Sequence, residues 1–220
     1  MLCRFSAKED YTSEGEVMVE RYYVVIRYLV NDIDLGLVAG RCVNILHGVL
    51  LSKKNQYSGI GVSFPKWSNS SLGNEIAFVS YDRHALDYLT QQPYFEMMMN
   101  EKIFLISNVN TVPKELPEVS FRRNQNIAKC FTGEKRRRLQ RAKRRAEERG
   151  EIFEPVKVHQ SREVELFHSV FMNSKKSGQK FLLHIQRYPS PDIFIETYNS
   201  YGFSTNRSHQ GTVPDLSSLT

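Results

Sequence analysis

Residues 21–51 read RYYVVIRYLVNDIDLGLVAGRCVNILHGVLL, which predicts a strand followed directly by a helix. The β-branched and aromatic run at residues 21–30 is typical of a strand. Residues 35–51 predict a helix because their apolar side chains recur at spacings of three and four, with His47 beside the apolar face near the helix end. That face consists of Val38, Cys42, Ile45, Leu46, Val49 and Leu50.

The chain continues after this stretch with further strand and helix patterns. Strands are predicted at residues 57–64 and 75–81, a helix capped by Asp82 runs to about residue 100, and a strand follows at 102–109. The order strand, helix, strand, strand, helix, strand is the split βαβ arrangement of ferredoxin-like domains, which RNA-recognition motifs share. We therefore predict an α+β protein whose residues 18–112 form an N-terminal ferredoxin-like (RRM-like) βαββαβ domain.

The strongest functional signal is the segment KRRRLQRAKRRAEER at residues 135–149. Nine cations less two carboxylates give it +7, so the rest of this +6 chain sums to −1. The segment predicts an arginine-rich helix at about residues 134–149, ended by Gly150. The alternative is an ordinary solvated helix held by Glu/Lys pairs. Because the acidic complement is too small for that, the pattern favours a nucleic-acid partner.

Residues 113–220 are predicted to form a C-terminal α+β domain that carries this helix. Residues 119–133 resemble a polar linker in which Arg123 and Gln125 can contact guanine and adenine edges, and an ordinary linker is the equal alternative. Later elements are a predicted short helix at residues 162–171 and strands at 180–188 and 193–197. Residues 1–17 lack periodicity and are predicted to be a disordered extension that can be deleted without loss of folding.

Composition excludes several classes of protein. No stretch approaches 18 apolar residues and no secretory signal pattern is present, so we expect a soluble, cytoplasmic protein with no membrane partner. Cys3, Cys42 and Cys130 are widely separated and odd in number, which argues against a disulfide framework and a thiolate metal site.

Six motifs occur in order along the chain. They are ILHGVL (45–50), IGVSFPKW (60–67), SFRRNQ (120–125), KRRRLQR (135–141), SGQKFLLHIQR (177–187) and SYGFS (200–204). Together they resemble the CRISPR-associated endoribonucleases of the prokaryotic type I-F branch, and the FRRNQ form and the tail resemble the transposon-linked versions.

The resemblance implies a reaction and a set of partners. The enzyme would cut precursor CRISPR RNA at the base of each repeat hairpin, using the 2′-hydroxyl and no metal or other cofactor, and would leave a 2′,3′-cyclic phosphate. It would keep the mature crRNA and join the other subunits of a type I-F effector (Cascade) complex, with indirect contact to transposition proteins in the transposon-linked subgroup. A non-catalytic subunit that only caps the RNA hairpin is the alternative function.

The resemblance also implies catalytic residues. His47 matches the histidine that acts on the 2′-hydroxyl, and its alternative is a partly buried structural histidine. Tyr201 matches a tyrosine that lines the active site. Ser174 matches the serine that holds the reactive ribose, with Ser177 as the alternative and Lys176 in place of a second serine.

Further residues are implied to bind the RNA. Phe181 matches the aromatic residue that stacks on the terminal base pair of the hairpin, and its alternative is a core phenylalanine. Arg123 and Gln125 match the pair that contacts bases. The arginine-rich helix is expected to enter the major groove at the end of the hairpin, where the groove opens. Its expected RNA contacts are Lys135, Arg136, Arg137, Arg138, Arg141, Arg144 and Arg145.

Overall fold

The computed structural model describes residues 20–52, 57–154, 164–174, 178–190, 195–205 and 208–220. The predicted extension at residues 1–17 lies outside these ranges, as do Lys176 and Ser177. Within them, no helix is both long enough and apolar enough to cross a membrane. The helices are α1 (Leu35–Leu50), α2 (Arg83–Thr90), α3 (Pro93–Asn100), α4 (Gln125–Ala128) and α5 (Thr132–Glu148). The strands are β1 (Tyr22–Tyr28), β2 (Gly61–Ser63), β3 (Glu75–Ser80), β4 (Phe104–Ile106), β5 (Asn110–Thr111), β6 (Glu118–Arg123), β7 (His168–Asn173), β8 (Lys180–Pro189) and β9 (Val213–Pro214).

The first sheet has the strand order β2-β3-β1-β4, and all neighbouring strands are antiparallel. This is the order that a βαββαβ chain adopts in the split βαβ arrangement, so the predicted α+β fold class is confirmed. The short strand β5 extends the edge by pairing with the start of β1.

Helix α1 joins the two sheets. Asp34 caps it by accepting a 3.0 Å hydrogen bond from the backbone N–H of Leu37. Its backbone also approaches β7 of the second sheet, because a Cβ built on Gly36 would lie 2.5 Å from the carbonyl oxygen of Ser169 and one on Gly40 would overlap the carbonyl of Phe171. Glycine therefore lets α1 pack against the backbone of β7.

The predicted helix at residues 82–100 is wrong as a single element. It forms α2, capped by Asp82 as predicted, and α3, which begins at Pro93. Proline disfavours helical geometry in the residue before it, and Gln92 is accordingly extended with φ −65° and ψ 141°. The proline itself fits the first position of α3, where its missing N–H costs nothing.

The second sheet has the order β7-β8-β6-β9, and its assigned strand pairs are antiparallel. The linker predicted at residues 119–133 is wrong over its first part, because residues 118–123 form β6, an inner strand with Val119 and Phe121 buried. The helix predicted at 162–171 is also wrong where it is described, since β7 occupies 168–173 and buries Val170 and Met172 alternately. Of the strand predicted at 193–197, residues 193 and 194 lie outside the described ranges and residues 195–197 form no strand.

The arginine-rich helix is confirmed as α5, one turn of which precedes the predicted basic run. Gly150 ends it in the left-handed region with φ +70°, and the N–H of Glu151 bonds back to the carbonyl of Ala146 at 2.9 Å. Every side chain that the structure describes in α5 is exposed except Ala146. The helix, about 25 Å long, is therefore presented to solvent rather than packed into the core.

Candidate functional site

His47 lies in the last turn of α1, where a half-buried imidazole meets the C-terminal segment of the chain. Its Nδ1 lies 2.8 Å from the backbone carbonyl oxygen of Ser200. A carbonyl oxygen can only accept, so in the neutral ring Nδ1 carries the hydrogen and Nε2 carries the lone pair. The contact thus assigns the tautomer in which Nε2 can take a proton.

Tyr201 stacks on this imidazole. The two ring centroids are 4.1 Å apart and the planes differ by 13°. The turn that carries Tyr201 is held by the side chain of Asn199, whose Oδ1 accepts hydrogen bonds from the N–H groups of Tyr201 at 2.8 Å and Phe203 at 3.3 Å. The ring orientation of His47 is therefore set by a backbone carbonyl and an aromatic face from the same turn.

Gly202 allows this turn to reach the first half of the chain. Its φ is +78°, and an added Cβ would lie 2.6 Å from Val62 and 2.8 Å from Leu46. Its carbonyl accepts a 2.9 Å hydrogen bond from the N–H of Val62 at the edge of the first sheet. Both the conformation and the space require glycine, which fixes the turn beside the end of α1.

Arg123, at the end of β6, also faces this turn. Its guanidinium carbon lies 5.4 Å from the centroid of the Tyr201 ring, and its backbone N–H donates to the carbonyl of Ser204 at 2.9 Å. Burial lowers the pKa of the Arg123 guanidinium. The structure therefore brings together His47, Tyr201 and Arg123.

Ser174 lies just after β7, which ends at Asn173. Its N–H donates to the carbonyl of Gln179 at 2.9 Å, and its carbonyl accepts from Gly178 at 2.8 Å. Helix α1 runs along β7, with Gly36 opposite Ser169 and Gly40 opposite Phe171. From the contact between Gly36 and Ser169, His47 is eleven residues further along the helix and Ser174 is five residues further along the extended chain. Each path spans about 16 Å, so the two residues are expected at a similar distance from that contact.

Residues 23–216 match the family model described as CRISPR-associated protein (Cas_Csy4). The chain belongs to this CRISPR-associated family. It is therefore a CRISPR RNA-processing endoribonuclease. Membership of the family also implies that it binds CRISPR RNA and acts in the context of a CRISPR effector. No curated protein shows significant similarity to the chain.

The exposed helix α5 is the candidate surface for the CRISPR RNA. Arg138, Arg141 and Arg145 share one face, because they are three and four residues apart. Lys143 and Arg144 instead pair with Glu147 and Glu148 at 3.7 and 3.5 Å, which are exposed contacts of little energetic weight. The other predicted contacts on this helix, Lys135, Arg136 and Arg137, also lie on its exposed surface.

The remaining predicted RNA contacts lie on β8 and α4. Phe181 is half-buried and packs against the core, so only part of its ring is at the surface. It shares a sheet face with Ile185, which is paired with Arg123 across the sheet. Gln125 is exposed at the first position of α4. The structure thus puts Phe181 and Arg123 on one face of the second sheet, whereas Gln125 lies beyond the end of β6.

Sequence reasoning missed the residues that hold the site together. These are Gly36 and Gly40 in α1, Ser200 through its carbonyl, and Asn199 and Gly202 in the turn. Glycines four apart inside an otherwise apolar helix indicate a close backbone approach, so that signal was present. The Ser200 contact has no such signal, because any residue type supplies a carbonyl.

Proposed function

We propose that this endoribonuclease cuts the precursor at the 3′ base of the repeat hairpin by a metal-independent transesterification. The observation that carries the proposal is the donation from His47 Nδ1 to the Ser200 carbonyl, because it leaves Nε2 as the proton acceptor. His47 is half-buried, so a ribose can approach it from solvent. A positioned base of this kind contributes about 10²–10⁴ in rate.

The reaction needs one proton acceptor and one proton donor. His47 Nε2 takes the proton of the 2′-hydroxyl upstream of the scissile phosphate, and the 2′-oxygen forms a bond to phosphorus. The bond from phosphorus to the 5′-oxygen breaks, and that oxygen takes up a proton. The products are a 2′,3′-cyclic phosphate and a 5′-hydroxyl.

Ser174 and Tyr201 position the reacting groups in this proposal. Ser174 lies just after β7. Its hydroxyl binds the reactive ribose in this proposal; Ser177, outside the described residues, is the alternative. Tyr201 supports the imidazole by stacking at 4.1 Å. Lys176, also outside the described residues, adds positive charge near the phosphate.

Binding is assigned mainly to residues 113–220, while residues 18–112 supply His47. Helix α5 enters the major groove of the hairpin, Arg123 and Gln125 contact base edges, and Phe181 stacks on the terminal base pair. The enzyme keeps its product and enters a type I-F effector (Cascade) complex as a subunit. The transposon-linked subgroup is proposed on the FRRNQ motif and the tail.

A labelled repeat hairpin incubated with the protein in EDTA tests the chemistry. We expect cleavage at one site, with the 2′,3′-cyclic phosphate at the 3′ end of the upstream product that contains the hairpin and a 5′-hydroxyl on the downstream product. The matched substrate has a single 2′-deoxy nucleotide at the cleavage position and should bind but stay intact. Cleavage of the deoxy substrate, or a strict need for metal, would contradict the mechanism. Binding without cleavage of either RNA would favour the hairpin-capping alternative.

A further inference from the structure

Three groups form one stack at the end of β6. The imidazole of His47 covers one face of the Tyr201 ring, with 4.1 Å between centroids and 13° between planes. The guanidinium of Arg123 lies over the same ring at 5.4 Å. The Tyr201 ring therefore contacts both a residue assigned to chemistry and a residue assigned to recognition.

The backbone holds this arrangement from both sides. The N–H of Arg123 donates to the carbonyl of Ser204, and the N–H of Ser204 donates to the carbonyl of Phe121, at 2.9 and 3.0 Å. The side chain of Asn199 fixes the N–H of Tyr201 from within the same turn. Strand β6 and the turn are thus joined by backbone hydrogen bonds, which hold the Arg123 guanidinium beside the Tyr201 ring.

A stacked guanidinium keeps its recognition chemistry. Stacking uses the π face, whereas the N–H donors point outward in the plane of the group. Arg123 can therefore remain on Tyr201 and still donate two hydrogen bonds to an acceptor pair such as O6 and N7 of guanine. A base edge that satisfies these donors would hold the guanidinium against the ring.

We propose that Arg123 is a positioning residue that couples recognition of a base edge to cleavage, acting through Tyr201 on the orientation of His47. The inference rests on the proposed role of His47 as the base. With the cognate base edge in place, the stack is compressed and the imidazole is held at the ribose. With a mismatched edge, the guanidinium loses its partner and the imidazole tilts more freely. Discrimination then occurs in the cleavage step as well as in affinity.

The neighbouring arginine provides a matched control. Arg122 lies over the ring of Tyr188 at 4.7 Å, so it makes the same kind of contact one residue earlier. It pairs with Gln186 across the sheet and hence points to the opposite face from Arg123. Replacing Arg122 by Lys removes a comparable stacking contact and preserves charge without touching Tyr201 or His47.

The experiment measures single-turnover cleavage at saturating protein for Arg123→Lys and Arg122→Lys. Lysine keeps the charge but cannot stack as a plane, so we expect Arg123→Lys to cleave roughly tenfold more slowly when fully bound, and Arg122→Lys to cleave at the parental rate. The parental enzyme should also slow, while bound, on one member of a set of hairpins in which each lower-stem base pair is replaced in turn. Arg123→Lys should lose that discrimination.

A double-mutant cycle with Tyr201→Leu decides whether the effect passes through the ring. We expect Arg123→Lys to add little to Tyr201→Leu, and thermal unfolding of each variant identifies any loss of folded protein. Additive effects, or a loss of affinity with an unchanged saturated rate, would overturn the coupling. Parental cleavage by His47→Ala would instead remove the proposed base, so the two failures are distinguishable.

Discussion

His47 Nδ1 donates a 2.8 Å hydrogen bond to the carbonyl oxygen of Ser200, 153 positions later in the chain. One partner belongs to helix α1, and the other belongs to the turn between strands β8 and β9 of the second sheet. The proton-accepting nitrogen is thus defined only when both halves of the chain are folded together. Cleavage should accordingly depend on the C-terminal turn as well as on the imidazole.

Replacement of His47 by Ala tests the general base. We expect single-turnover cleavage in EDTA to fall by at least about a hundredfold, because a positioned base contributes about 10²–10⁴ in rate. Equilibrium binding of the hairpin should stay close to the parental value. His84→Ala, at an exposed position of α2, is the matched control. Near-parental cleavage by His47→Ala would make His47 a structural histidine.

The stripe of arginines on α5 should dominate RNA affinity. We expect the triple replacement of Arg138, Arg141 and Arg145 by Ala to reduce the slope of log affinity against log salt by about 2–3, because each neutralised phosphate releases counterions. The measurement is hairpin binding across a salt series. The control removes three exposed cations outside α5, Arg83, Lys102 and Lys114, and should leave the slope unchanged. An unchanged slope in the α5 variant would place the RNA on another surface.

Two glycines in helices should respond in opposite directions to alanine. Gly40→Ala places a Cβ on the carbonyl of Phe171 and should lower the free energy of unfolding by about 1–3 kcal/mol. Gly133→Ala, in the first turn of α5 with no atom within 4 Å of the added Cβ, should raise it by up to about 1 kcal/mol. Denaturant unfolding measures both. Equal changes in the free energy of unfolding would mean that α1 and β7 can move apart without loss of stability.

His184 should make stability depend on pH. It is buried against the rings of Phe131 and Phe167, with its Nδ1 2.9 Å from the hydroxyl oxygen of Ser169, and burial lowers its pKa. The unfolded chain then binds a proton more readily than the folded one. Stability should therefore be complete above the ordinary histidine pKa of about 6.5 and fall as the pH drops below it.

His184→Phe should flatten this acid limb, because the replacement has no proton to bind and suits the aromatic cluster. The measurement is the free energy of unfolding between about pH 7.5 and 5 in the parental and variant proteins. A variant with the parental slope over this range would assign the acid sensitivity to other groups.

Local patterns in the sequence were sufficient for several elements. The strand and helix at residues 21–51, the cap at Asp82 and the end of α5 at Gly150 depend on neighbours within a few residues, and each appears where predicted. The charge of α5 was likewise a property of one segment. Strand β6 was predicted to be a linker because Arg122 and Arg123 make its sequence polar, although Val119 and Phe121 are buried. The alternation of apolar and polar residues in β7 covers too few positions to exclude a helix.

The sequence by itself determined the order of elements in the first half, the basic helix and the family resemblance, because these depend on residue types at short or ordered spacings. Only the tertiary structure decided that His47 meets the carbonyl of Ser200, that Tyr201 stacks on it and that Arg123 lies on the same ring. Those contacts join residues from α1, β6 and the C-terminal turn through backbone atoms and ring faces. Residue identity does not encode where a backbone carbonyl will point, so the geometry of this site emerges only when both sheets pack together.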